Sequence, residues 1–194
     1  MLITNSFDVA QPVDKVWRFF DDIPQVAACL PGAELTEDLG DGSYKGKVAI
    51  RMGPVKLQFA GTAKITERDD SNKRIVVDAA GADEKGRGQA AMLVTAHLVP
   101  AAGGTKVEVT QDLQLQGAAA QYGRGMISDV STVLMRDFAA NMQNRIAAIE
   151  RGDVTAQAAS AAPAGGVGIG VRALLMALSR LSRRLFLPYR PAAS

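Results

Sequence analysis

His97, Cys29 and two pairs of adjacent aspartates, Asp21–Asp22 and Asp69–Asp70, are the residues here whose types suit acid–base, nucleophilic or metal chemistry. His97 is the only histidine, and one imidazole does not make a multi-histidine metal site. It sits in AMLVTAHLV on the face opposite Met92 and Val94, where a structural or solvent-facing role is expected. Cys29 has apolar neighbours in QVAACLPG and no nearby base to lower its pKa, so a buried, inert thiol is expected. The aspartate pairs read as loop and cap carboxylates, because a hard cation needs more oxygen ligands at fixed spacing.

The glycines do not suggest phosphate binding. Gly86 and Gly88 in KGRGQA fit neither the dinucleotide fingerprint nor the Walker pattern, and a β-turn is expected there. In GAAAQYGRGM, Gly117, Gly123 and Gly125 either allow close backbone approach or form an entry loop. These residues point to no catalytic group, no bound metal and no enzyme. What remains is apolar. Met52, Met92, Met126, Met135 and Met142 are adaptable side chains that suit either a core or a pocket for a greasy molecule.

The elements that position these residues can be read from periodicity. YKGKVAIRM puts Tyr44, Val48, Ile50 and Met52 on one face and Lys45, Lys47 and Arg51 on the other, a half-buried strand. VKLQFAGTAKI does the same with Val55, Leu57, Phe59 and Ile65 inward, and Gly53-Pro54 between the two predicts a hairpin turn. TKVEVTQDLQL sets Val107, Val109, Leu113 and Leu115 against Lys106, Glu108, Asp112 and Gln114. ITNSFDV, KRIVVDAAG and QAAMLVTAHLV are further strands.

QPVDKVWRFF has the helical spacing of Val13, Val16, Trp17 and Phe20, with Pro12 suited to the first turn. A second short helix is expected near residues 22–28, ended by Pro31-Gly32. Ile127, Val130, Leu134, Phe138, Met142 and Ile149 form the stripe of a long helix over residues 122–150. The order is strand, short helices, about six antiparallel strands, one long helix. A sheet with one apolar face needs a cover, and the long helix is the one available. The fold class is α+β, of the helix-grip kind, in which a curved sheet wraps a long C-terminal helix and leaves a cavity.

Charge is unevenly placed along the 194 residues. Residues 1–150 hold 16 Lys/Arg and 19 Asp/Glu, a net of −3, whereas residues 151–194 hold 6 Arg and 1 Asp, a net of +5. Three parts follow: a folded domain over 1–150, a flexible linker over 151–166 and a cationic amphipathic helix over 167–190. GDVTAQAASAAPAGG has almost no large apolar residue to offset chain entropy. In VRALLMALSRLSRRLFLPYR, Leu174, Leu178, Leu181 and Leu185 share one side with Val171, opposite Arg172, Arg180, Arg183 and Arg184. Such a helix lies in a membrane interface, adding apolar burial to attraction for anionic lipid. An oligomerising or partner-docking helix is the alternative. Nucleic acid is not expected, since a leucine face serves no phosphate. The N-terminus lacks the basic and apolar regions of a signal peptide. No apolar run approaches the roughly 20 residues of a span. The single cysteine fits a reducing compartment. The expected location is therefore the cytoplasm, peripherally attached to the membrane's inner face.

Three segments carry a resemblance. PVDKVWRFFDDIPQVAACLPGAELTE, GDGSYKGKVAIRMGPVKLQFAGTAKI and QLQGAAAQYGRGMI resemble the CoxG family, the G subunits of carbon monoxide dehydrogenase, within the START-like or SRPBCC superfamily. CLPGAE at 29–34, the G-x-V-x-x-x-F-x-G pattern at 53–61 and QYGRGMI at 121–127 are its most specific parts. The resemblance implies a helix-grip fold with a deep hydrophobic cavity and no catalytic residue. It also implies partnership with a molybdenum-containing hydroxylase, especially carbon monoxide dehydrogenase, at the cytoplasmic membrane. The expected ligand is lipid-like, a quinone, with no covalent or metallic cofactor. Adaptor function without a ligand, and a small START-like cyclase or hydrolase, are the alternatives. Periodicity assigns the cavity wall to Met52, Phe59, Met92 and Leu113 of the sheet and Ile127, Val130, Leu134 and Phe138 of the long helix. Tyr122 to Met126 is the expected entrance.

Overall fold

The computed structural model describes residues 1–52 and 55–152, without the side chains of Met52 and Val55. The expected Gly53-Pro54 turn, the linker beyond its first two residues and the amphipathic segment over 167–190 lie outside the described residues.

Strand β1 (Leu2–Val9) leads through helices α1 (Val13–Phe19) and α2 (Ile23–Cys29) into six consecutive strands. These are β2 (Ala33–Asp38), β3 (Ser43–Met52), β4 (Val55–Asp69), β5 (Arg74–Asp83), β6 (Gly88–Ala101) and β7 (Gly104–Gly117). A single 3-10 turn (Ala118–Gln121) then precedes the long helix α3 (Arg124–Glu150). The order is the one expected from the period-two and period-3.6 patterns, except that β2 is a strand the alternation did not single out.

The strands form one antiparallel sheet in the order β1-β7-β6-β5-β4-β3-β2. Because β1 and β2 are its opposite edges, the α1–α2 segment ties one edge to the other. Asp22 caps α2 by accepting the Gln25 N–H at 3.1 Å. At the far end of α3, Gly152 takes φ +71° and its N–H donates to the Ile149 carbonyl at 3.0 Å, which stops the helix.

The sheet curves where side chains are missing from its inner face. Gly46, Gly61 and Gly81 are direct partners across β3, β4 and β5. A Cβ on Gly61 would lie 2.0 Å from the Ala80 carbonyl oxygen, so only glycine permits this approach of backbones. A β-bulge between Ile65 and Glu67 adds twist to β4 beyond that row.

Two apolar clusters close the ends of the curved sheet. One joins Val9, Trp17, Phe20, Ile75, Leu98 and Val107 to Phe138, Met142 and Ile146 of α3. The other gathers Ile3, Leu57, Phe59, Ala119 and Ile127. Burying a side chain of this size is worth roughly 1.5–3 kcal/mol, and α3 contributes to both clusters. Phe7 and Phe138 meet edge to face, with ring centroids 5.9 Å apart, fixing α3 over β1.

Candidate functional site

Between these clusters the concave face of the sheet, α2 and α3 line a cavity of about 500 Å³ that is open on one side. Its wall takes Phe7 from β1, Leu57 and Phe59 from β4, Met92 from β6 and Leu113 and Leu115 from β7. Helix α3 supplies Ile127, Val130, Leu134 and Phe138, while Ile23, Val26, Ala27 and Leu30 of α2 and its C-terminal end close another side. Of the wall residues expected from periodicity, Phe59, Met92, Leu113, Ile127, Val130, Leu134 and Phe138 are brought together here. Met52 ends β3, and its side chain is outside the described atoms.

Tyr122 and Met126 stand elsewhere. Tyr122 packs, partly buried, against the cluster around Ile3 and Phe59 and does not line the cavity. Met126 is 44% exposed. One residue before Ile127, it is turned by about 100° from the inward stripe of α3. The expected entrance at 122–126 therefore forms no part of the cavity lining.

Two features of the wall escaped the sequence reading. The first is its small residues: Gly46, Gly61, Ala63, Ala79, Gly81 and Ala90 all face the cavity. Inward positions filled by glycine and alanine, rather than by methionine, leave the space open. The second is polar. Gln111 interrupts the inward series Val107, Val109, Leu113 and Leu115 of β7, and Ser131 interrupts the inward stripe of α3. Both are more than nine-tenths buried. Ser131 Oγ donates to Gln111 Oε1 at 3.1 Å and accepts from Asn5 Nδ2 at 3.0 Å. A polar residue at an inward position of an alternating strand is a signal that sequence alone offers. Tyr44 also lines the cavity, and its phenol is pushed up by burial and then by Asp38.

The reactive residue types are placed away from this space. His97 pairs with Glu108 across β6 and β7, its Nδ1 4.0 Å from the carboxylate on a half-exposed outer face. Cys29 is fully buried, its Sγ 3.2 Å from the Gln25 carbonyl oxygen. Burial pushes its thiol up to about 11, against the opposing pull of Arg145, so the thiolate is scarce at neutral pH. Asp22 caps α2, Asp21 pairs with Arg68 at 2.6 Å, and Asp69 accepts the N–H groups of Ser71 and Asn72. Asp70 accepts from the Trp17 indole at 2.7 Å. Among the described residues no group of three or more His, Cys, Asp or Glu is placed to hold a metal ion.

One buried charge is an anchor. Asp83 accepts both Nε and Nη2 of Arg87, at 2.7 and 2.8 Å, and the N–H of Gln58 at 3.0 Å. Arg87 also donates to the Lys56 carbonyl at 2.9 Å. The pair clamps the β5–β6 hairpin to the start of β4. Gly86, φ +68°, forms the turn expected there.

The sequence matches the family of the carbon monoxide dehydrogenase G subunit, CoxG, over residues 6–147. Among solved structures, a conserved protein of Geobacillus kaustophilus superposes with a TM-score of 0.67 at 23% identity, covering 76% of this chain and 95% of that one. A protein of Mycobacterium smegmatis gives 0.54 at 18% identity, over 76% and 92%. Ara h 8.0201 gives 0.52 at 14% identity, over 76% and 98%. These likenesses show the fold, which is the START-like or SRPBCC helix grip. Among curated proteins the sequence finds no match. Among the described residues no helix is long and apolar enough to cross a membrane.

Proposed function

The chain belongs to the CoxG family, the G subunits of carbon monoxide dehydrogenase, and we propose that it is a non-enzymatic accessory protein of a molybdenum-containing hydroxylase of that type. Its cavity holds a hydrophobic, lipid-like molecule, a quinone, and the protein links the enzyme to the cytoplasmic membrane. A hydroxylase in water has to pass its electrons to a pool dissolved in lipid, and a quinone-carrying domain joins the two phases.

The observation that carries this reading is the cavity of about 500 Å³ between α3 and the sheet. Natural ligand pockets run from about 300 to 1,000 Å³ and are mostly apolar with a few polar groups. Unfilled apolar space costs about 24 cal/mol per Å³ in measured core cavities. A protein that kept glycine and alanine along the wall, where larger side chains would fill it, forgoes that stability for an occupant. A non-enzymatic role is supported by His97 on the outer face and Cys29 sealed as a thiol.

Membrane attachment is assigned to the cationic leucine-rich segment over 167–190, through Leu174, Leu178, Leu181 and Leu185 on one side and Arg180, Arg183 and Arg184 on the other. Each arginine near an anionic surface contributes roughly 1 kcal/mol.

Organic-solvent extraction of the purified full chain followed by mass spectrometry tests the reading. A quinone or related lipid is expected in the extract. An empty extract, together with no binding of an added quinone, overturns it.

A further inference from the structure

Gln111 is the polar exception in an apolar wall, and its hydrogen bonds are only half used. Its Oε1 accepts from Ser131 Oγ at 3.1 Å. Ser131 accepts in turn from Asn5 Nδ2 at 3.0 Å, and Asn5 Oδ1 accepts from Thr132 Oγ1 at 3.2 Å. The chain is directional. From Asn5 through Ser131 the donors point towards Gln111, while the Thr132 hydroxyl also lies 3.0 Å from the Ser128 carbonyl oxygen. This leaves the Gln111 amide N–H groups at the chain's end without an acceptor among the described residues. No buried side-chain nitrogen or oxygen among them is sealed off unpartnered, so this Nε2 opens onto the cavity that Gln111 lines.

A primary amide in an apolar cavity, 6% exposed and with its donors unused, carries a desolvation cost that a ligand acceptor offsets. Its neighbours polarise it in the donating sense. The charges nearby limit the ligand's chemistry. No lysine or arginine is buried among the described residues. Lys45 and Lys47, which touch the cavity from β3, are exposed and paired with Glu37 and Glu84. A carboxylate or phosphate seated beside Gln111 would therefore be an uncompensated buried anion. A neutral carbonyl oxygen fits instead.

We propose that Gln111, positioned by Ser131 and Asn5, is the specificity-determining residue of the cavity. It donates a hydrogen bond to a neutral carbonyl oxygen of an otherwise apolar ligand and selects against both plain hydrocarbons and fatty-acid anions. This rests on the ligand-binding reading above and narrows it to a class that a quinone or an acyl ester supplies.

Calorimetric titration of the full chain with matched probes tests it. The quinone arm is 2-methyl-1,4-naphthoquinone against 2-methylnaphthalene; the ester arm is methyl decanoate against decanoate. The wild type is expected to bind 2-methyl-1,4-naphthoquinone about five- to tenfold tighter than its carbonyl-free partner, the scale of one neutral hydrogen bond. Gln111→Leu should lose that preference while keeping its affinity for 2-methylnaphthalene, which reports an intact pocket. Ser131→Ala, which leaves the amide but frees it, should lose part of it. Should the leucine variant fail to fold, Gln111→Met takes its place at equal length. A preference surviving in the Gln111 variants, equal wild-type binding of the two naphthalene probes, or tighter binding of decanoate than of its ester overturns the assignment to Gln111. Wild-type protein that binds none of the four overturns the ligand-binding reading itself. Which arm shows the larger Gln111-dependent preference tells a quinone from an ester.

Discussion

Ala79 of β5 stands directly between Ala63 of β4 and Met92 of β6, and all three face the cavity. An indole at this point enters open space, so Ala79→Trp should shift stability by no more than about 1 kcal/mol, less than overpacking a filled core costs. Urea unfolding measures that, and mass spectrometry of the extract should show the ligand lost. A ligand retained in full places it elsewhere. Asp83 sits at the opposite extreme, as a buried charge completely engaged. The Arg87 guanidinium holds its carboxyl well below the usual carboxylate range, helped by the N–H groups of Gln58, Arg87 and Lys85. A depressed folded pKa stabilises fully above the unfolded value of about 3.9 and loses that contribution as pH falls below it. The gap in melting temperature between wild type and Asp83→Asn should therefore be wide at pH 7 and narrower at pH 3. A gap independent of pH would remove the carboxylate's charge from the account.

At the scale of elements, alternation in β3, β4 and β7 and the stripe of α3 were legible because each has one buried and one wet face. The same reading passed over Gln111, since it sought apolar residues at inward positions and so skipped the polar one. It placed Met126 at the entrance, whereas the helical angle set by Ile127 turns the side chain outward and off the cavity lining. The glycine row was illegible for another reason: Gly46, Gly61 and Gly81 become neighbours only once the strand registers are known. Their role is testable in β4. Gly61→Ala forces a methyl group to within 2.0 Å of the Ala80 carbonyl oxygen. The β4–β5 pair must part there, and a loss of about 2–3 kcal/mol is expected in urea unfolding. An unchanged midpoint would mean that the sheet relaxes at no cost.

For the whole molecule, period and turn signals reached the element order but not the sheet order. Nothing in the alternation of ITNSFDV says that its partner is β7; the helix-grip class followed from the element order and the need to cover one apolar face, and the resemblance implied the same fold. The separation of charge was legible from counting alone, and it supplies the test at this scale. A chain ending after Gly152 keeps every element among the described residues and should retain the extracted ligand. It should fail to sediment with vesicles containing anionic phosphatidylglycerol, which the full chain should bind with a dependence on salt. Equal sedimentation of both moves the membrane contact onto the domain.

The pairing of β1 with β7 also decides when the cavity comes into being. Leu2 lies opposite Asp112, and Val9 opposite Thr105, so the first strand waits for the last before either has its neighbour. Contacts that close so long a loop form slowly. The wall supplied by α3 follows later still, since its residues are the last of the domain to leave the ribosome. Until β1, β7 and α3 are all in place, the cavity lacks part of its wall. Any occupant of the cavity must therefore enter a finished fold rather than be wrapped during synthesis, and the open side of the cavity gives it a way in.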